Sequence, residues 1–170
     1  MYQPELAETL KRIQKNGAKG FYEGKTAELI LAEMKRANGI ISLEDLKNYE
    51  AKSRESILTD YRGYTIIGFP PPSSGGIIVS QMLTMIEPFP MKKYGYGTVE
   101  SIHLMIEAER RAYADRAEYM GDPDFWKVPQ KTLMSKEYLT ERMKDFDPQK
   151  ASVSKNIKAG VIHESDQTTH

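Results

Sequence analysis

The chain has 170 residues, enough for one ordinary domain with a core, and 39% of them are hydrophobic against 28% charged. Twenty-four basic residues balance 24 acidic ones, so the charge argues for neither nucleic acid nor an anionic membrane as partner. Cysteine is absent, which excludes disulfides, thiol catalysis and thiolate metal sites.

No run approaches the ~18 apolar residues of a membrane span. The opening Met1-Tyr2-Gln3-Pro4 leads straight into a charged amphipathic segment and not into a signal peptide. Leu6, Leu10 and Ile13 recur at helical spacing from about Glu5 to Asn16, with Gly17 as the stop. Gly20-Phe21-Tyr22-Glu23-Gly24 reads as a turn anchored by its aromatics. A second helix follows from about Lys25 to Ala37, with Leu29, Ile30 and Met34 inward and Asn38-Gly39 ending it. Ser42-x-x-Asp45 has the form of a capping box opening a short helix. Residues 1–52 are therefore expected to be helical.

The pattern changes at Ser53. Ile57 and Leu58, then Tyr64, Ile66, Ile67 and Phe69, flank Asp60-Tyr61-Arg62-Gly63, which predicts a β-hairpin over 53–69. Pro70-Pro71-Pro72 ends its second strand. Residues 70–146 return to helix. Ser73 or Ser74 is the expected cap of a segment, Ile77 to Ile86, apolar all round and so buried on several sides. Neither the GxGxxG nor the GxxxxGK[ST] phosphate fingerprint is present, and no GxSxG elbow surrounds the serines.

Thr98 caps the longest predicted helix, Val99 to Met120. Its expected inner stripe is Ile102, Met105 or Ile106, and Tyr113, with Ala108 and Ala112 allowing tight packing. Glu107, Arg111 and Asp115, at four-residue spacing, then read as a solvated charged face in which each pair contributes tenths of a kcal/mol. Gly121-Asp122-Pro123 stops it, and Asp124-Phe125-Trp126 forms an aromatic loop with the only tryptophan. A last short helix runs from about Ser135 to Met143. Residues 147–167 lose periodicity and read as an extended or mobile linker.

His103, His163 and His170 lack metal-ligand spacing, so neither a metal nor another cofactor is expected. His103 reads as a hydrogen-bonded core residue. Asp115, Asp122 and Asp124 are explained by a helix and its stop more simply than as catalytic carboxylates. The terminal run Glu164-Ser165-Asp166-Gln167-Thr168-Thr169-His170 is polar and reads two ways. It is a plain linker, or it carries a cleavage point. Cutting before Thr168 would place a hydroxyl beside a free amine with a pKa near ~8, a complete nucleophile-and-base unit.

Several motifs separate these readings. Pro70 to Gly76 (PPPSSGG), Tyr113-Ala114-Asp115-Arg116, Gly121-Asp122-Pro123-Asp124-Phe125 and Glu164 to His170 (ESDQTTH) occur in this order. With Gly20-Phe21-Tyr22-Glu23-Gly24 and Gly39 to Leu46, they make essentially the whole chain resemble the γ-glutamyltranspeptidase family. The resemblance implies an α+β, mainly helical fragment of an αββα N-terminal nucleophile hydrolase sandwich, made as a precursor that cuts itself into two subunits. It places the cut between Gln167 and Thr168, makes Thr168 the nucleophile and makes 168–170 the start of the small subunit.

The implied activity is γ-glutamyltransferase and glutathione hydrolase. Its donor is glutathione or a related γ-glutamyl compound, and its acceptor is water, an amino acid or a peptide. The intact protein is expected to be periplasmic or extracellular. The family's oxyanion-stabilising serine pair belongs to the small subunit, so Ser73-Ser74 is a structural turn. Its donor-binding arginine lies outside this stretch, and Arg54, Arg62, Arg110 and Arg111 fit no matching motif. Alternatives within the family are a cephalosporin acylase-like or poly-γ-glutamate-processing enzyme. Outside it, the alternative is a helical scaffold without chemistry.

Overall fold

A computed structural model describes residues 2–162. By its internal contacts the chain divides into two compact units, Met1–Ser53 and Arg54–His170.

The first unit is helical. Pro4–Asn16 forms α1, with proline at its mouth, where a missing N–H costs nothing. Lys19–Tyr22 forms a short α2 where the glycines at 20 and 24 suggested only a turn, and Gly24–Arg36 forms α3. Arg12 holds these pieces together by donating to the Thr26 hydroxyl at 3.0 Å, which in turn donates to the Gly20 carbonyl at 2.8 Å. Thr26 and Ala27, rather than Leu29, are the buried positions of α3, and Leu29 is half exposed. Leu43–Lys47 forms α4, opened by the expected capping box: Ser42 Oγ accepts from Asp45 N, and the Asp45 carboxylate accepts from Ser42 N at 2.7 Å. Tyr22 stacks on Tyr49 with ring centroids 5.3 Å apart.

The second unit opens with the predicted hairpin. Strands β1 (Ile57–Tyr61) and β2 (Tyr64–Gly68) pair antiparallel with Ile57 opposite Gly68 and Tyr61 opposite Tyr64. Arg62 and Gly63 make the two-residue turn, both at positive φ, the conformation that matches strand twist. The Pro71–Pro72 bond is cis. Helix α5, Gly75–Ile86, then packs on the hairpin. A Cβ at Gly76 would collide with the Phe69 carbonyl oxygen and lie 3.0 Å from Ile57 Cβ, so the absent side chain is what lets helix and hairpin meet. As its composition implies, α5 is buried on several sides, at Ile77, Ile78, Ser80, Gln81, Met85 and Ile86.

Helix α6 (Met91–Tyr94) precedes α7 (Val99–Tyr119), and α8 (Gln130–Leu133) and α9 (Lys136–Arg142) follow. Ile78, Met85, Leu104, Ala108, Ala112, Leu139 and Met143 make the main core where α5, α7 and α9 meet. A smaller cluster of Ile57, Ile77 and Leu133 sits under the hairpin. Among the described residues beyond α9 the chain runs without regular structure apart from a 3-10 turn at Ser154–Asn156. Among the described residues no helix is long and apolar enough to cross a membrane. Among the described residues the architecture is mainly helical with one two-stranded sheet, in agreement with the α+β expectation.

Candidate functional site

Gln167 and Thr168, the residues placed at the cut, lie outside the described residues. What is described is the stretch that leads to them, up to Ile162, and the helix that holds it.

That helix is α7. Thr98 starts it by accepting from Ser101 N at 3.3 Å, and Glu100 and Arg116 suit the charges of its two ends. Its buried face is Ser101, Leu104, Glu107, Ala108, Arg111, Ala112 and Asp115. This reverses the sequence expectation. The supposed inner stripe is outward, with Ile102 47%, Met105 45%, Ile106 40% and Tyr113 51% exposed, while Glu107, Arg111 and Asp115 are each 1% exposed.

Buried charge is tolerable only where every ion finds partners, and here each does. Arg111 donates to the Glu107 carboxylate at 2.8 Å, to the Glu107 carbonyl at 2.9 Å, to the Arg142 carbonyl at 2.7 Å and to Asp145 at 2.7 Å. The other oxygen of Glu107 accepts from Arg110 at 2.9 Å and from the backbone N–H of Ser152 at 3.0 Å. Burial works against ionised Glu107, but the bonds from Ser152 and Arg111 outweigh it and hold its pKa down at about 2. Burial likewise opposes the Arg111 charge, and Asp145 and Glu107 override it and raise its pKa.

One turn further on, Asp115 repeats the device. One oxygen accepts from Gly160 N at 2.9 Å and pairs with Arg142 at 3.1 Å, and the other accepts from Gln81 at 3.1 Å. Here burial prevails over the Gly160 bond and the Arg142 charge, so the Asp115 pKa is raised. The buried Tyr138 phenol lies beside it, its own pKa raised by burial and then by the Asp115 charge. Tyr119 donates to the Gly160 carbonyl at 2.5 Å.

The two acids of α7 thus grip the irregular stretch at Ser152 and Gly160. Arg110 also donates to the Ser152 carbonyl, and Ile162 packs against Ile57, Ile77 and Leu133. His103 is half-buried and bonds the Asp147 carbonyl at 2.9 Å, fixing the start of the same stretch. Bonded in this way, Glu107 and Asp115 are suited to holding a chain in place.

The other candidates also find local partners. Arg54 pairs with Asp124 at 2.9 Å and approaches Asp122 at 3.8 Å, so these three residues form one surface cluster. Arg62 donates to Glu87 through its backbone N–H and to the Phe89 carbonyl through its side chain. Ser74 occupies the N-cap position of α5 but makes no capping bond. Its hydroxyl accepts from Arg116 at 3.0 Å, while Ser73 accepts from Gly75 N at 3.3 Å. Among the described residues no group of His, Asp or Glu is placed to hold a metal ion.

Sequence reasoning missed Glu107, Asp115, Tyr119, Arg142 and Gly160 as a connected set. One signal was available: Ala108 and Ala112, already marked for tight packing, share their helix face with Leu104, Glu107, Arg111 and Asp115.

The family profile described as gamma-glutamyltranspeptidase matches residues 1–170. The chain is 47% identical to the glutathione hydrolase proenzyme of Escherichia coli K12 and 43% identical to that of Pseudomonas sp. A14. Each match covers the whole chain but 30% of the relative, so the chain spans about 30% of the length of the curated relatives it matches. It superposes on γ-glutamyltranspeptidase of Helicobacter pylori with a TM-score of 0.85 at 44% identity, covering 96% of this chain and 48% of that one. A cephalosporin acylase of Bacillus halodurans superposes with a TM-score of 0.72 at 33% identity, covering 83% of this chain and 26% of the other.

Proposed function

Because the chain belongs to the γ-glutamyltranspeptidase family, we propose that it carries the processing site of a γ-glutamyltransferase and glutathione hydrolase precursor, with Thr168 as nucleophile. The observation that carries this reading is the family match, which runs through Gln167-Thr168 and includes relatives that are themselves named proenzymes.

The chemistry uses groups that Thr168 brings with it. In the precursor its Oγ attacks the Gln167 carbonyl carbon. The C–N bond breaks, the Thr168 nitrogen leaves as an amine, and the acyl group rests on oxygen as an ester. Water hydrolyses that ester, leaving a carboxylate on Gln167 and a free N-terminal Thr168. The freed amine, with a pKa near ~8, then takes the hydroxyl proton, directly or through a water, as Oγ attacks a γ-glutamyl amide. The amine half of the donor departs, and the γ-glutamyl ester passes to water or to an amino acid or peptide amine. Oxyanion donors and the donor-carboxylate arginine are supplied from outside these 170 residues. The partner that completes the site is the small subunit beginning at Thr168.

The exposed apolar surface supports this incompleteness. Besides the outer stripe of α7, Leu58 is 60%, Ile67 72% and Phe69 79% exposed on the hairpin. Exposed apolar area on this scale marks contact surfaces, and the remainder of the protein is what would cover it. The 170-residue chain alone is therefore expected neither to cleave itself nor to turn over substrate. Export to the periplasm or outside the cell belongs to the same proposal.

Full-length Thr168→Ala should remain an uncut precursor without γ-glutamyl anilide hydrolysis. A processed, active Thr168→Ala enzyme would remove the assigned nucleophile. A match of 39% to an acylase proenzyme of Pseudomonas sp. SE83, together with the superposition on a cephalosporin acylase, favours a second reading, in which the acyl donor is a cephalosporin side chain. Cleavage of a cephalosporin amide but not of the anilide would select it.

A further inference from the structure

Three features converge on Gly160. Its N–H is held by a buried carboxylate of α7, its carbonyl by the Tyr119 hydroxyl one turn on, and its Cα faces a slot with no room for a side chain. A Cβ there would sit 2.5 Å from the Tyr138 oxygen and 2.6 Å from Arg142 Cδ. Eight residues upstream, Ser152 is bonded through both N–H and carbonyl to Glu107 and Arg110. Two residues downstream, Ile162 is seated against the cluster under the hairpin. A stretch with almost no secondary structure of its own is thus fixed at three points.

Two of these holds are backbone N–H bonds to carboxylates, which are stronger than bonds between neutral groups. Sinking Glu107 and Asp115 into the protein costs desolvation, and in both cases a backbone N–H of this stretch is among the bonds that offset it. A solvent-facing linker would need neither acid.

Gly160 precedes Thr168 by eight positions, so the hydroxyl can lie no further than about 28 Å from the anchor even with the chain fully extended. Self-cleavage needs the Thr168 hydroxyl aligned on the carbonyl next to it, a geometry in which a displacement of ~1 Å costs about a hundredfold in rate. We propose that Asp115, Tyr119 and the Gly160 slot are positioning elements for self-cleavage, holding the upstream arm of the scissile peptide against α7. They touch no reacting atom. They act by limiting where Gln167 can go. The inference rests on the processing site proposed above.

Once the bond is cut, the anchored arm ends at Gln167 and no longer carries the nucleophile. Loss of the anchor should therefore slow maturation and spare turnover. The test uses full-length precursor, purified uncut after brief expression, and follows conversion to two subunits by intact mass. Gly160→Ala should lower the cleavage rate about tenfold or more, and Tyr119→Phe, which removes one hydrogen bond and little volume, about two- to fivefold. The kcat and KM of the fully matured fraction of each variant should stay within about twofold of wild type. If Gly160→Ala does not fold, Tyr119→Phe decides alone. Cleavage of the variants at the wild-type rate overturns the inference, as does a fall in kcat parallel to the fall in cleavage rate, which would indicate general disruption. A wild-type precursor that never cuts at Gln167-Thr168 instead overturns the functional reading beneath it.

Discussion

Replacing Arg111 by Met separates two accounts of α7 by an order of magnitude. On a solvated face, the loss of a pair with Glu107 and another with Asp115 would cost tenths of a kcal/mol. In the structure Arg111 is 1% exposed and makes four hydrogen bonds of 2.7–2.9 Å, two of them to backbone carbonyls. Methionine fills much of the volume but leaves the Arg142 carbonyl without this donor and removes the main counter-charge of buried Glu107. Breaking one side of such a pair costs about 3–5 kcal/mol. For a chain of this size that is a fall in Tm of roughly 10 °C. The only tryptophan makes the assay specific to this unit, because Trp126 donates to the Tyr119 carbonyl at the end of α7. Urea titration of the 170-residue chain followed by tryptophan fluorescence should show the loss. Glu107→Leu combined with Arg111→Met should be less destabilised than the sum of the two single variants. A loss below about 0.5 kcal/mol in Arg111→Met would refute the buried-network account.

The acid network also predicts a pH dependence. Glu107 is held at about 2 against an ordinary 4.5, so its contribution is fully present above about 4.5 and fades as pH falls toward 2. By pH 3 the loss should be about 2 kcal/mol, visible as a lower urea midpoint than at pH 6 and largely absent in Glu107→Gln. Asp115 works in the opposite sense: its raised pKa means its buried charge lowers stability above that pKa, and protonation relieves the cost. Midpoints that rise steadily on acidification would contradict the ranking of Glu107 over Asp115. Gly76→Ala should cost about 1–3 kcal/mol, since the added methyl meets the Phe69 carbonyl and Ile57. The same change at Gly97, where a Cβ meets nothing within 4 Å but φ is +70°, should cost less, and thermal melts of both compare them.

Local chemistry was legible in the sequence. The Ser42–Asp45 capping box, the hairpin around Arg62-Gly63, the all-round burial of α5 and the Thr98 start of α7 each depend on residues within one turn or one strand pair. What was not legible depends on partners far along the chain. Glu107 and Arg111 look like a surface pair until Ser152 and Asp145 are brought to them, and Asp115 looks idle until Gly160 arrives. The outward stripe of Ile102, Ile106 and Tyr113 misled for a related reason: periodicity shows that a face is apolar and not what it packs against. Ser74 illustrates the limit on a smaller scale, since its place before α5 suggested a cap while Arg116, from another helix, takes its hydroxyl. Gln167 and Thr168 were named by motif, and they lie outside the described residues.

The central claim is that this chain is cut between Gln167 and Thr168 to release a threonine nucleophile. Intact mass and N-terminal sequencing of the full-length protein after maturation test it most directly. The account predicts a small subunit beginning Thr168-Thr169-His170, a large subunit ending at Gln167, and a single uncut species for Thr168→Ala. A mature, active protein that remains one chain, or one whose new N-terminus lies elsewhere, would contradict it.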